Sequence, residues 1–400
     1  MILTTKSENN ILYILKNYNE NIILNKKTIN KKSLIRKIYN LLKETNNISS
    51  KIKYKIIETD DLELINTDNK NLSYGKFFPK DIYNYIQEYM NYKINFTLKI
   101  KNLKINLSFY FLASNNDEKN IIKKYIINSL KYVKNWLYIC DLYSSNLKIN
   151  ELNIKIFLTP FIKKNDNNEN KSLSSYHVNS GYTQHSLTNS NYKDIVIFRK
   201  EEWFKVFIHE CIHAYNLDFN MLNYNNEINI LQKEFKNINS EFLFNESYCE
   251  FWAQIINLSY YSLNQTTNYK DFLINFEINI TLEKIFSIMQ MNKILNYNNI
   301  DYNLLNNNNN LNFYYKEDTN IFCYYILKTV LLYNYEEVFD WCNKNNINFL
   351  DFKKTSNNIN SFLKLILKLK NNKKFKNFVL KNKNNINNNN LELCLLELSF

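Results

Sequence analysis

The feature that most constrains the fold of this chain is its near-absence of glycine and proline, with two of each in 400 residues. Glycine supplies left-handed backbone and lets the main chain approach a ligand closely. Gly75 and Gly181 alone cannot build a P-loop or a GxGxxG dinucleotide turn, so both are excluded, as is collagen. The chain must therefore fold from helices and strands, and its 45% hydrophobic content is ample for a packed core.

The net charge of +13, from 51 Lys+Arg and 38 Asp+Glu, favours an acidic partner such as nucleic acid, an anionic membrane surface or an acidic protein. The densest lysine cluster spans 364–383. A solvated helix face is the alternative interpretation of that cluster. Because no recognised nucleic-acid motif accompanies it, a nucleic-acid partner has only the charge in its favour.

The cysteines and the apolar runs bear on where the protein is found. Six cysteines are scattered without a CxxC pair, which predicts reduced thiols in a cytosol-like compartment. The first residues lack the pattern of a secretory signal. No apolar run approaches the ~20 residues that a membrane helix needs. We therefore expect a cytoplasmic protein that is not secreted, has no transmembrane segment and has no membrane partner; the oligomeric state stays open.

Hydrophobic periodicity divides the chain into three parts. Residues 1–90 predict an N-terminal α/β portion, residues 91–265 a domain of mixed strands and helices, and residues 266–400 a mainly helical C-terminal domain. Helices are expected in this last part at 270–292, 318–341 and 359–370. Two short strands are expected in the first part, at 54–58 and 62–65. In the second part we expect, in order, a hairpin at 93–112, a long helix at 115–143, a strand at 151–160, an irregular segment or edge strand at 174–187, a buried strand at 195–198 and a buried helix at 201–217.

The buried helix carries the sequence His209-Glu210-Cys211-Ile212-His213, an HExxH motif. Residues four apart lie on the same side of a helix, so His209 and His213 can bind one tetrahedral ion. Glu210 lies one step around the helix, where it can accept a proton from a water that the metal activates. The alternative is a buried helix with two incidental histidines. The site interpretation is favoured because all four histidines of the chain lie within residues 177–213.

A third protein ligand is needed, and the metzincin pattern HExxHxxGxxH does not supply it. Asn216 stands where that pattern has glycine, and Phe219 stands where it has histidine. A glutamate from a following helix can serve instead: Glu246 and Glu250 lie one turn apart, and burying both without a cation is expensive. We expect Glu246 to be the ligand and Glu250 to accept a hydrogen bond from a histidine ring. Two solvated glutamates are the alternative, and Glu241 suits ligation less well because it lies near the helix start.

The segment HVNSGYTQH, which ends at His185, offers candidates for stabilising an oxyanion. Its side chains His177, Tyr182 and His185 could donate a hydrogen bond, and Gly181 would let the backbone approach a substrate closely. Each of these side chains could instead face solvent.

The sequence HECIH followed by NESYCE resembles the gluzincin branch of the zincin metallopeptidases, of which thermolysin is a familiar member. The resemblance covers residues 93–262 and implies that residues 91–265 form a zincin-like catalytic domain. It implies a zincin-like α+β fold with a mixed sheet, a backing helix, an HExxH helix and a glutamate helix. It also implies one Zn²⁺ per chain, held by His209, His213 and Glu246, with Glu210 as general base and proton shuttle.

The phrases IVIFRKEEWFKVFIHECIHAYNLDF and NESYCEFWAQ are also similar to zincin-like proteins of large DNA viruses such as mimivirus relatives. Such an origin would place the protein in the host cytoplasm or the virion. Three features depart from the gluzincin pattern: thirty-two residues separate His213 from Glu246, Glu250 replaces an aspartate, and the GxMEN element of the aminopeptidases is absent.

The expected function is zinc-dependent hydrolysis of peptide bonds in a peptide or protein substrate. The alternative is a non-catalytic zincin-like structural or interaction protein that keeps the metal, or one associated with nucleic acid through its basic charge.

Overall fold

A computed structural model describes residues 2–18, 33–65, 72, 75–145, 147–165, 172–185, 192–306, 315–382 and 388–400. The described residues combine many helices with one mixed six-stranded sheet, which confirms the α+β class. The strands are β1 (Ile2–Leu3), β2 (Tyr54–Thr59), β3 (Tyr92–Ile100), β4 (Leu103–Phe111), β5 (Glu151–Phe157), β6 (Gly181–His185), β7 (Tyr192–Ile197), β8 (Ile238–Asn239), β9 (Tyr315–Lys316) and β10 (Leu398–Ser399). The α-helices are α1 (Thr5–Asn17), α2 (Ser33–Ser49), α3 (Lys80–Tyr89), α4 (Asn116–Tyr143), α5 (Ser175–Val178), α6 (Trp203–Ala214), α7 (Asn225–Glu234), α8 (Asn245–Asn264), α9 (Tyr269–Tyr297), α10 (Lys328–Tyr333), α11 (Tyr335–Asn345), α12 (Ser356–Leu369) and α13 (Lys373–Lys381).

The six-stranded sheet has the order β2-β3-β4-β5-β7-β6. Strands β3 and β4 form the predicted antiparallel hairpin, and Lys101 takes the left-handed conformation that its two-residue turn needs (φ 48°). The next two strands pair in parallel, β5 with β4 and β7 with β5, while β6 pairs antiparallel with β7. The predicted edge strand at 174–187 is therefore β6 at one edge of the sheet; residues 186–191 lie outside the described part.

The two faces of the sheet are covered differently because its side chains alternate. One face packs against the long helix α4 and against α6, in a core that continues through α8 to α12. The opposite face holds a smaller cluster around helix α3, in which Phe78 stacks on Phe198 at 4.6 Å between ring centroids. The larger core contains residues from all three predicted parts of the chain, whose division at residues 90 and 265 stays a prediction.

Two segments differ from the sequence prediction. Residues 62–65 form a helical turn and not a strand. The side chain of Asp61 accepts hydrogen bonds from the backbone N–H groups of Glu63 and Leu64, which starts that turn. Residues 318–341 were expected to form one continuous helix. They form instead a π-helix at Phe322–Leu327 followed by α10 and the start of α11.

None of the helices in the described ranges is both long enough and apolar enough to cross a lipid bilayer.

Candidate metal centre

Helix α6 carries the HExxH motif through the centre of the molecule. Every residue from Trp203 to Ala214 is buried, as its apolar composition predicts. One side of the helix packs on β6 and β7 and the other on α8. At its C-terminal end, Lys193 of β7 donates hydrogen bonds to the carbonyl oxygen of Ala214 (2.8 Å) and to the side chain of Asn216 (2.6 Å). Both histidines of the motif therefore lie on a helix that is held on all sides.

The three predicted ligand atoms converge at one point. Nε2 of His213 lies 3.1 Å from Nε2 of His209, and Oε2 of Glu246 lies 3.2 Å from Nε2 of His209 and 3.4 Å from Nε2 of His213. Ligand atoms at 2.0–2.1 Å from a tetrahedral zinc ion stand about 3.3 Å apart. The spacing of His209, His213 and Glu246 therefore fits a zinc ion, as does a donor set of two imidazoles and one carboxylate.

The far nitrogen of each imidazole is held by a carboxylate. Nδ1 of His209 lies 2.9 Å from Glu250, and Nδ1 of His213 lies 2.7 Å from Asp218. Each carboxylate accepts a hydrogen bond from the N–H group at Nδ1. The proton therefore stays on Nδ1, and the lone pair of Nε2 is directed at the ligand site. Glu250 is also ion-paired with Lys205, one turn before His209 on the same helix. The contact of Glu250 with Nδ1 of His209 matches the role predicted for this glutamate, that of a hydrogen-bond partner of a histidine ring.

The charges around the site favour ionised carboxylates. Burial raises the pKa of Glu246, but the neighbouring His213 and His209 outweigh burial and hold that pKa well below its ordinary value. Burial lowers the pKa of His209, yet the hydrogen bonds to Glu246 and Glu250 raise it to about 9. Imidazoles with such partners are strong electron-pair donors, which suits them to a cation.

Glu210 contacts strand β6 and is not one of the three residues of the ligand triangle. Its Oε2 accepts a hydrogen bond from Thr183 Oγ1 at 2.8 Å. Burial raises the pKa of Glu210, partly offset by the charges of His209 and His213. The close approach of β6 depends on Gly181: a Cβ atom there would lie 2.9 Å from the carbonyl oxygen of Val196 and 3.4 Å from Glu210 Cγ. The glycine therefore lets the strand lie against the HExxH helix, whereas the sequence suggested a role in approaching a substrate.

Two of the three candidates for oxyanion stabilisation, Tyr182 and His177, make their described side-chain contacts away from the ligand triangle. The ring of Tyr182 packs with Phe78 on the opposite face of the sheet, because neighbouring residues of a strand point to opposite faces. The prediction for Tyr182 is therefore wrong. Nδ1 of His177 accepts a hydrogen bond from the backbone N–H of Ser174 (3.0 Å), a capping contact within helix α5. His185 pairs through its backbone with Lys193, and its side chain lies outside the described part.

Three residues that the sequence did not point out contact the site. Thr183 contacts Glu210 and Asp218 contacts His213, as described above. Tyr324 lies on the π-helix, and its hydroxyl donates to Oε2 of Glu246 at 3.3 Å. Strand alternation could have selected Thr183, which shares a face with Gly181. Asp218 and Tyr324 carry no such signal, because a turn and a distant helix bring them to the site.

A second group of possible ligands, His213, Asp218 and Cys249, adjoins the first. Nδ1 of His213 and Oδ2 of Asp218 are only 2.7 Å apart, which is a hydrogen-bond distance and too short for two ligands of one ion. The thiol of Cys249 lies 3.6 Å from the same carboxylate oxygen. This group therefore supports the ring of His213. Glu241, the less suited ligand candidate, is exposed and paired with Lys76.

A small cavity of about 30 Å³ lies beside the ligand triangle, and its lining includes His209, Glu210, Tyr324 and residues 178–181. Comparisons with protein-family models, with curated proteins and with solved structures find no match for this chain.

Proposed function

We propose that the protein is a zinc-dependent metallopeptidase with a zincin-like arrangement of its HExxH and glutamate helices. The observation that carries the proposal is the ligand triangle of His209, His213 and Glu246, with edges of 3.1–3.4 Å, beside the carboxylate of Glu210. Zinc bound there would act as a Lewis acid that activates water and polarises a carbonyl group.

Glu210 is the residue to which we assign the proton transfer. It is the neighbour of His209 in sequence, lines the cavity, and is held by Thr183 without belonging to the ligand triangle. A carboxylate in that position can take a proton from water and return it to the leaving amine.

Tyr324 and strand β6 are assigned to substrate handling. The phenol of Tyr324 borders the cavity, so it can donate a hydrogen bond to the oxygen that becomes negative during attack on a peptide bond. Strand β6 is the edge of the sheet, and its outer side has no strand partner among the described residues. An extended peptide can pair with such an edge through backbone hydrogen bonds.

A non-catalytic protein that keeps the metal is the second candidate. Its support is the burial of the site. The exposed fraction of the side chain is 14% for Glu246, 7% for His209 and 9% for His213. The peptidase is preferred because a purely structural ion has no use for Glu210, a buried carboxylate outside the ligand triangle whose desolvation costs free energy.

The experiment compares the parent protein with Glu210→Gln and with Glu241→Gln, a matched change at the exposed glutamate outside the site. We expect all three to bind the same amount of zinc, and only the parent and the Glu241 variant to cleave a peptide library. Loss of general-base catalysis should lower the rate 10²–10⁴-fold. Equal cleavage by the Glu210 variant would refute the mechanism, whereas zinc binding without cleavage by any of the three would favour the non-catalytic protein.

A further inference from the structure

The positive charge of the chain is concentrated in one stretch near its C-terminal end. Residues 352–391 contain ten lysines and no acidic residue, so forty residues supply ten of the thirteen units of net charge. In the rest of the chain lysines and acids nearly balance. A stretch that contains lysines and no acidic residues carries a net positive charge, which attracts polyanions.

Six of these lysines lie on two consecutive helices: Lys364 and Lys368 on α12, and Lys373, Lys374, Lys376 and Lys381 on α13. Ion pairs join Lys354 to Asp351, Lys368 to Glu337 and Lys370 to Glu234. Others are solvent-exposed, including Lys364 on α12 and Lys373 at the start of α13. Lys383 lies outside the described residues.

Helix α13 presents one stripe of residues to solvent. Lys374, Asn377 and Lys381 are exposed and Phe378 is half-buried, at the spacing of three and four residues that places side chains on one side of a helix. The apolar side of the same helix, Phe375 and Val379, is buried in the core.

A second aromatic ring lies beside Phe378. The ring of Tyr333, at the end of α10, has its centroid 5.9 Å from that of Phe378, and Nζ of Lys284 lies 5.6 Å from the Tyr333 centroid. Tyr333 is also half-buried. Two half-exposed rings thus stand together among three lysines. We call Lys284, Tyr333, Lys374, Phe378 and Lys381 the lysine–aromatic patch.

We propose that the lysine–aromatic patch binds single-stranded nucleic acid. Lysines attract the phosphates without regard to sequence, and aromatic rings stack on bases that are not paired. A base pair inside a duplex does not expose its faces to the aromatic rings. Double-stranded nucleic acid would therefore be held only by the attraction between lysines and phosphates. A lipid surface fits less well, because the apolar side of α13 is already packed in the core and cannot insert. The proposal does not depend on the metallopeptidase function.

The test measures fluorescence anisotropy of a labelled single-stranded 20-mer of mixed sequence across a range of salt concentrations. The double variant Lys374→Glu/Lys381→Glu should bind at least tenfold more weakly. Its slope of log affinity against log salt should be flatter by about 1.4, because about 0.7 is lost per phosphate contact on a single strand. Phe378→Leu keeps an apolar side chain for packing but removes the stacking face, and should bind about tenfold more weakly.

The matched control is Lys55→Glu/Lys99→Glu, which makes the same change of charge at two exposed lysines of β2 and β3. It should alter affinity less than twofold at moderate salt. Four results would overturn the proposal: no binding at low salt, equal weakening by the control, duplex bound as tightly as the single strand with no effect of Phe378→Leu, or binding to anionic phospholipid vesicles but not to the oligonucleotide.

Discussion

The change Lys205→Met tests whether the buried charges behind the HExxH helix support the ligand site. The Lys205 side chain is 2% exposed and that of its partner Glu250 is 3% exposed, so neither charge reaches water. Methionine has nearly the length of lysine and keeps the packing, but it leaves the Glu250 carboxylate without its cation. The hydrogen bond from His209 and the electrostatic attraction of Lys328 then remain among the side-chain interactions described for Glu250.

The magnitude follows from that burial. Breaking a buried ion pair from one side costs about 3–5 kcal/mol, because the remaining charge stays in a medium of low dielectric constant. Glu250→Gln should be costly for the same reason, since it leaves the buried Lys205 ammonium without its ion-pair partner and with only the attraction of Glu202 among the carboxylates described as acting on it. The double variant removes both charges, so its loss of stability should be smaller than the sum of the single losses by about 1–3 kcal/mol.

The assay is urea unfolding of the parent, the two single variants and the double variant, each after dialysis against a chelator. Zinc affinity measured on the same four proteins reports on the orientation of His209, and we expect it to fall about 10–100-fold in both single variants. A loss of less than about 1 kcal/mol in Lys205→Met, or strictly additive losses in the double variant, would refute the coupling of this pair to the site.

Three further predictions concern separate parts of the structure. Gly181→Ala should cost about 1–3 kcal/mol in urea unfolding, because its Cβ would lie 2.9 Å from a backbone oxygen, whereas Gly75→Ala, with open space around it, should cost little. Asp218→Asn weakens the acceptor for the ring of His213 and should lower zinc affinity about 10–100-fold by competition with a chromogenic chelator; unchanged affinity would contradict this. Burial raises the pKa of Glu317 from 4.5 to about 7. Its folded state therefore holds the proton more tightly, so the stabilisation is present below about pH 4.5 and is lost as pH rises through about 7. The parent should lose about 1–3 kcal/mol of folding stability over this pH range, and Glu317→Gln should not, as thermal unfolding measured at several pH values can show. If the stability of both proteins changes with pH in the same way, the assignment to Glu317 is refuted.

The part of the site that the sequence could predict is the part set by local helical spacing. His209 and His213 converge because they are four residues apart on one helix, and Glu246 and Glu250 share a helix face for the same reason. That the two helices bring these four residues together could be expected because a buried carboxylate needs a positively charged partner. The roles themselves, ligation and proton transfer, stay predictions.

The remaining site residues depend on packing between distant segments. Tyr324 reaches the site from a π-helix whose extra residue per turn has no hydrophobic signature, which is also why residues 318–341 were expected to be one regular helix. Asp218 follows a turn at Asn216, whose left-handed backbone (φ 53°) ends the helix and redirects the chain. The error at Tyr182 is different in kind, since strand alternation, applied from Gly181, would have placed it on the far face.

The most direct test of the account is the zinc content of the purified parent beside two histidine variants, His213→Ala and His177→Ala. The account predicts about one zinc per chain in the parent and in His177→Ala, where the histidine caps a short helix outside the ligand triangle. It predicts no stoichiometric zinc in His213→Ala, because two remaining ligands hold the ion poorly against a chelator. Undiminished zinc in His213→Ala, or a parent that takes up none when zinc is supplied, would contradict it.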